Sequence, residues 1–174
     1  DVLINKPFFA PPTWFFRKCL SYIRKYDYCD GTFPMILDTL AETKVKYMDE
    51  VTATYRRLEE SASNSKSLLK KYHFLTGVHK IQLDYLTKYR LSSEVADVIN
   101  QKYYEAAYPY AIFIGDTETA IKAKKFLLSR PHRTYKTRML LILSRSYIGV
   151  FLIKLIYGNE GLKRFISKLP IFKV

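Results

Sequence analysis

The chain has 174 residues, 48% of them apolar and 26% charged, enough apolar material for a packed core and too much for wholesale disorder. Its 29 Lys/Arg against 16 Asp/Glu give a net charge of +13, and the excess is unevenly placed. Residues 1–65 hold nine bases and nine acids, residues 66–174 twenty bases and seven acids, so the second segment carries the whole surplus and calls for an anionic partner. Cys19 and Cys29 form neither a CxxC pair nor a disulfide-rich framework and read as reduced thiols of a cytoplasmic protein. The opening Asp1-Val2-Leu3 lacks the charged region of a secretion signal, and the chain reads as starting inside something larger.

In chain order, Phe8 to Phe16 is aromatic-rich and broken by Pro11-Pro12, which suits an irregular or edge strand. Arg17 to Ile23 suits a short helix. Phe33 to Thr43 places Phe33, Ile36, Leu37 and Leu40 on one helical face, with Pro34 tolerated in the first turn. Val45 and Tyr47 start a strand, Asp49-Glu50 makes a turn, and Val51 to Arg57 alternates as a second strand does. The texture then changes. Ser61 to Ser65 is a polar connector, and helices are expected over Lys66–Tyr89, from Ser92-Ser93-Glu94 to about Phe113, from an Asp116 cap to about Leu128, over Thr134–Tyr157 and over Asn159–Leu169. The expected fold class is therefore α+β, with a mixed segment 1–65 and a basic, mainly α-helical segment 66–174.

Residues 139–158, MLLILSRSYIGVFLIKLIYG, are apolar enough to raise the question of a membrane span. Arg145 and Lys154 interrupt the run, so it reads as a core helix or as an interfacial helix with basic flanks. No Gly-rich phosphate loop, HExxH or paired Cys/His metal spacing is present, and His73, His79 and His132 are scattered. The stretch with chemistry to offer is YDYCDG at 26–31, which sets Asp27 and Asp30 just before an apolar helix. A carboxylate there can cap the helix. It can also act as a general base if an acidic proton comes within reach.

The order of segments carries a resemblance. An aromatic stretch ends in an arginine (FFAPPTWFFR), followed by the acidic YDYCDG, the helix FPMILDTL and then KVKYMDEVTATYRRLEESAS at 44–63. Over about residues 3–65 this resembles the C-terminal half of the catalytic domain of family 2 glycosyltransferases of the GT-A type, in the form found in bacterial polysaccharide clusters. The resemblance implies the C-terminal part of a Rossmann-like catalytic domain (1–65) followed by a helical extension (66–174). It implies an inverting transfer of sugar from a nucleotide-sugar donor to a saccharide or lipid-linked acceptor in polysaccharide biosynthesis. By position Asp30 is the implied catalytic base, with Asp27 the fallback, and Cys29 stands where the family usually carries Glu. Trp14 and Phe16, whose aromatic faces suit sugar C–H groups, and Arg17 are the expected acceptor-binding residues, with packing in a core the alternative for the two aromatics.

The family's nucleotide-sugar and divalent metal (Mn or Mg) belong to an N-terminal half with an Asp-x-Asp motif, which this chain lacks. It is accordingly expected to bind neither and to be inactive alone. A cytoplasmic location, peripheral at the inner face of the plasma membrane, follows from the acceptor class and the basic helices, with an anionic membrane surface as partner and no specific nucleic acid. The alternative is a basic helical binding module for nucleic acid or a protein partner, with 1–65 merely structural.

Overall fold

The computed structural model of the chain describes residues 27–44, 65, 67–131, 133–159 and 161–162. Six helices run through them: α1 (Thr32–Glu42), α2 (Leu68–Lys88), α3 (Ser93–Ile114), α4 (Thr117–Ser129), α5 (Tyr135–Leu143) and α6 (Tyr147–Gly158). The described residues contain no strand, so the expected α+β class, with its Rossmann-like part, is corrected to all-α. The physical reason is visible at α1. Its apolar face meets helices, because Phe33 and Leu37 pack with Ile81, Tyr85, Val95 and Ile99 of α2 and α3 and not with a sheet. The segments expected as strands, 8–16, 45–47 and 51–57, lie outside the described residues.

The chain divides into two compact units, one of residues 1–65 with 74–99 and the other of 66–73 with 100–174. In the first, the core just named is extended by Tyr28, Ile36, Val78, Leu86 and Leu91. The end of α2 is closed by a left-handed turn. Arg90 has φ +48°, the Leu91 N–H donates to the Leu86 carbonyl at 3.0 Å, and the Arg90 N–H donates to that of Thr87 at 3.2 Å. This double bond pattern with Leu86 and Leu91 both on the core is a Schellman ending, at a position where glycine is the usual residue.

The second unit packs Tyr108, Ala123, Leu127, Leu140, Leu141, Ile153 and Tyr157 into its core. Gly115 ends α3 with φ +88°, which a glycine adopts without strain. The expected single helix over Thr134–Tyr157 is two helices, because residues 144–146 break it. Ser144 accepts from the Tyr108 hydroxyl at 2.6 Å while its own hydroxyl donates to the Leu141 carbonyl at 2.9 Å, and Ser146 accepts from the Gly149 N–H at 3.1 Å to cap α6. Two serines thus offer the backbone an alternative to continuing the helix. Gly149 completes the corner, since a Cβ there would collide with the Leu143 backbone. No helix among the described residues is long and apolar enough to cross a membrane.

Two substitutions test these turns. Arg90→Gly removes left-handed strain at the α2 end and raises stability by about 0.5–1 kcal/mol. Gly149→Ala forces the α5–α6 corner apart and costs about 1–3 kcal/mol. Urea unfolding measures both. A neutral Gly149→Ala or a destabilising Arg90→Gly contradicts the backbone described.

Candidate functional site

Asp30 sits at the start of α1, and Gly31 after it already has helical dihedrals, φ −79° and ψ −19°. Asp30 is therefore the capping residue. Its Oδ1 accepts from the Thr32 N–H at 2.9 Å, the Thr32 hydroxyl at 2.7 Å and the Phe33 N–H at 3.3 Å. The two amides are among those a helix leaves without intrahelical partners, and a side-chain oxygen is their usual acceptor. Oδ2 has no hydrogen bond among the described residues, and the residue is half-buried. Asp27 is exposed. Trp14, Phe16 and Arg17, and the motif at 44–63 beyond Lys44, lie outside the described residues, so no geometry joins them to Asp30.

Cys29 lies against the glycine notch of α2, close to Gly77, with its Sγ 3.9 Å from the Phe74 carbonyl oxygen. Burial first, and then the Asp30 charge, push its thiol pKa up. The residue is exposed, and a thiol shifted that way holds little thiolate near neutral pH, which argues against a nucleophile. Tyr28 reaches across to α2, where its hydroxyl donates to Asp84 Oδ2 at 2.9 Å. Burial, followed by that hydrogen bond, raises the Tyr28 pKa.

The carboxylate that sequence reasoning missed is Asp38. It is buried on α1, bonded to the Lys88 ammonium and accepting from the Tyr89 hydroxyl at 2.8 Å. Lys88 stands 4.9 Å from the Tyr85 ring centroid and 5.3 Å from that of Tyr89, and the Tyr85 hydroxyl donates to the Pro34 carbonyl at 3.0 Å. A buried carboxylate without partners is strongly disfavoured, so this cluster fixes where the end of α2 meets α1. One signal was available in the sequence: Asp38 follows Pro34 by four positions and adjoins Leu37, which puts an acid on the edge of the buried face.

In the second unit, Asp116 caps α4 as expected, its Oδ1 accepting from the Thr119 N–H at 2.9 Å. Its Oδ2 accepts from the Tyr72 hydroxyl at 2.6 Å. That bond first, and the Thr119 amide second, hold Asp116 below the usual carboxylate range. Tyr72 is pushed up to about 12, by burial and then by the bond to Asp116. His73 is exposed and His79 buried, and among the described residues no three His, Cys, Asp or Glu side chains converge as a metal site would require. Comparisons with protein families, curated proteins and solved structures find no match to this chain.

The Tyr72–Asp116 pair has a pH signature. The raised Tyr72 stabilises the fold fully below pH 10 and ceases to do so as pH rises through about 12, while the lowered Asp116 stabilises it above the usual carboxylate range and is lost as pH falls through its folded value. Tyr72→Phe therefore costs about 1–2 kcal/mol near neutrality. Its deficit relative to the parent shrinks between pH 10 and about 12 and again in acid. Denaturant midpoints across pH measure this, and a deficit that stays constant contradicts the pairing.

Proposed function

We propose that the chain is part of an inverting glycosyltransferase and that Asp30 is its general base. The reaction moves a sugar from a nucleotide-sugar donor to a hydroxyl of a saccharide or lipid-linked acceptor, within polysaccharide biosynthesis. The observation that carries the proposal is the unequal use of the two Asp30 oxygens. Three donors hold Oδ1, and Oδ2 has no hydrogen bond among the described residues. One oxygen fixes the side chain and the other stays available to a proton. A base held in this way loses little freedom when the acceptor arrives.

In the proposed step the acceptor hydroxyl proton passes to Asp30 Oδ2 as the acceptor oxygen bonds to the anomeric carbon. The bond from that carbon to the nucleotide phosphate breaks on the opposite face, and the phosphate leaves with the electron pair. Inversion at the anomeric carbon follows from this in-line geometry. The resemblance of residues 26–31 and 44–63 to family 2 glycosyltransferases supports the same assignment, with Trp14, Phe16 and Arg17 as the proposed acceptor contacts. The described residues do not fit a divalent metal site, so no step is routed through a metal held by them. Donor and metal fall to a donor-binding half, and this chain alone is proposed to be inactive.

The geometry also selects the test. Asparagine is as good a helix cap as aspartate but a poor base, so Asp30→Asn separates the two roles of the residue. In the enzyme carrying the donor-binding half, Asp30→Asn lowers turnover by about 10²–10⁴-fold, with donor affinity and melting temperature near those of the parent. Near-normal turnover in that variant reduces Asp30 to a cap and removes the assignment.

A further inference from the structure

Helix α6 is apolar on both sides. Its inner side buries Gly149, Ile153 and Tyr157 in the second unit. Its outer side exposes Tyr147 (97%), Ile148 (75%), Phe151 (65%), Leu155 (49%) and Leu152 (39%). Their spacing of one, four, five and eight positions from Tyr147 puts them on one stripe along the helix. Single exposed apolar residues are common on protein surfaces, whereas five on one stripe are not. A helix apolar all round has both faces covered in its working state, and here the described residues cover only one.

The charges around the stripe indicate what covers the other. Residues 135–158 contain Lys136, Arg138, Arg145 and Lys154 and not one Asp or Glu. Arg145, just before α6, and Lys154, within it, are exposed, and neither is paired with an acid among the described residues. Over residues 115–174 thirteen bases face three acids. A second copy of the chain meeting this stripe with its own would bring like charges together, which disfavours self-pairing. An anionic lipid surface offers the reverse: hydrocarbon for the stripe and negative headgroups for the bases beside it.

Length sets the mode of contact. The 12 residues of α6 extend about 18 Å, short of the ~30 Å hydrocarbon core, so the helix cannot span. It can lie in the plane of the interface with the stripe down. Tyr147 at its start has the amphipathic ring that suits headgroup depth. We infer that α6 is a membrane-docking helix, which seats the second unit on an anionic lipid surface through Ile148, Phe151 and Leu155, with Arg145 and Lys154 on headgroups.

Vesicle co-sedimentation of the whole chain tests this, using phosphatidylcholine alone and phosphatidylcholine mixed with phosphatidylglycerol. Two double variants are compared: Ile148→Ser with Phe151→Ser, which removes the apolar part, and Arg145→Glu with Lys154→Glu, which reverses the charge. All four positions are exposed, and a helical circular-dichroism melt close to that of the parent confirms that each variant folds. The expected result is binding to the mixed vesicles only, weakened by salt, and about tenfold or more weaker in each variant. Equal binding to neutral vesicles, no binding to either, or variants that bind like the parent overturn the inference. So does self-association that the Ile148/Phe151 variant abolishes while lipid binding stays unchanged, which assigns the stripe to a second copy.

Discussion

An 11-residue helix is too short to persist in water by itself, so α1 exists only because one of its faces is buried on α2 and α3. Everything observed at Asp30 depends on that burial. Phe33 and Leu37 enter the core of the first unit, the Tyr85 hydroxyl takes up the Pro34 carbonyl, and Asp38, one turn before the end of the helix, finds Lys88 and Tyr89. Asp30 closes the near end. Two carboxylates of the α1 region therefore play opposite roles: Asp38, within the helix, is buried and bonded on two sides, while Asp30, at its start, spends one oxygen on its own helix and has no partner for the other among the described residues. The base assignment rests on this asymmetry.

The second unit solves the same packing problem with different parts. Tyrosines carry much of it, because each brings apolar area and one polar tip that needs a partner. Tyr108 finds Ser144, Tyr72 finds Asp116, and the Tyr110 and Tyr157 rings meet edge to face at 5.7 Å between centroids. Burial raises the Tyr157 pKa, with the nearby Tyr110 adding to it. The Ser144–Ser146 break lets α5 and α6 form a corner tight enough that only glycine fits at 149. The corner leaves α6 with one face in the core of the second unit and the other exposed among the described residues.

Helix positions were largely legible in the sequence because their signals are local. The periodic face of Phe33, Ile36 and Leu37, the serines before α3 and the Asp116 cap each act within a few residues of where they stand. The break at 144–146 was not legible, because the apolar periodicity runs straight through it. Its causes are a bond from Tyr108, 36 positions away, and the close approach of Gly149 to Leu143. Asp38 was missed for the same reason, since its partners lie fifty residues on. The fold class failed at the level of partners: the face of α1 was legible, but not whether a sheet or other helices would cover it. The left-handed turn at Arg90 was hidden because arginine does not signal one.

The central claim is that α1 is docked on α2 and α3 and that this docking presents Asp30. Native-state hydrogen exchange of the residue 36–42 amides measures it most directly, in the parent chain and in Lys88→Met. The account predicts that these amides open with a free energy close to that of the α2 amides around Ile81, and that they exchange about tenfold or more faster in Lys88→Met, where Asp38 loses its charged partner. Amides of α1 that exchange freely in the parent, as those of an undocked segment do, contradict it.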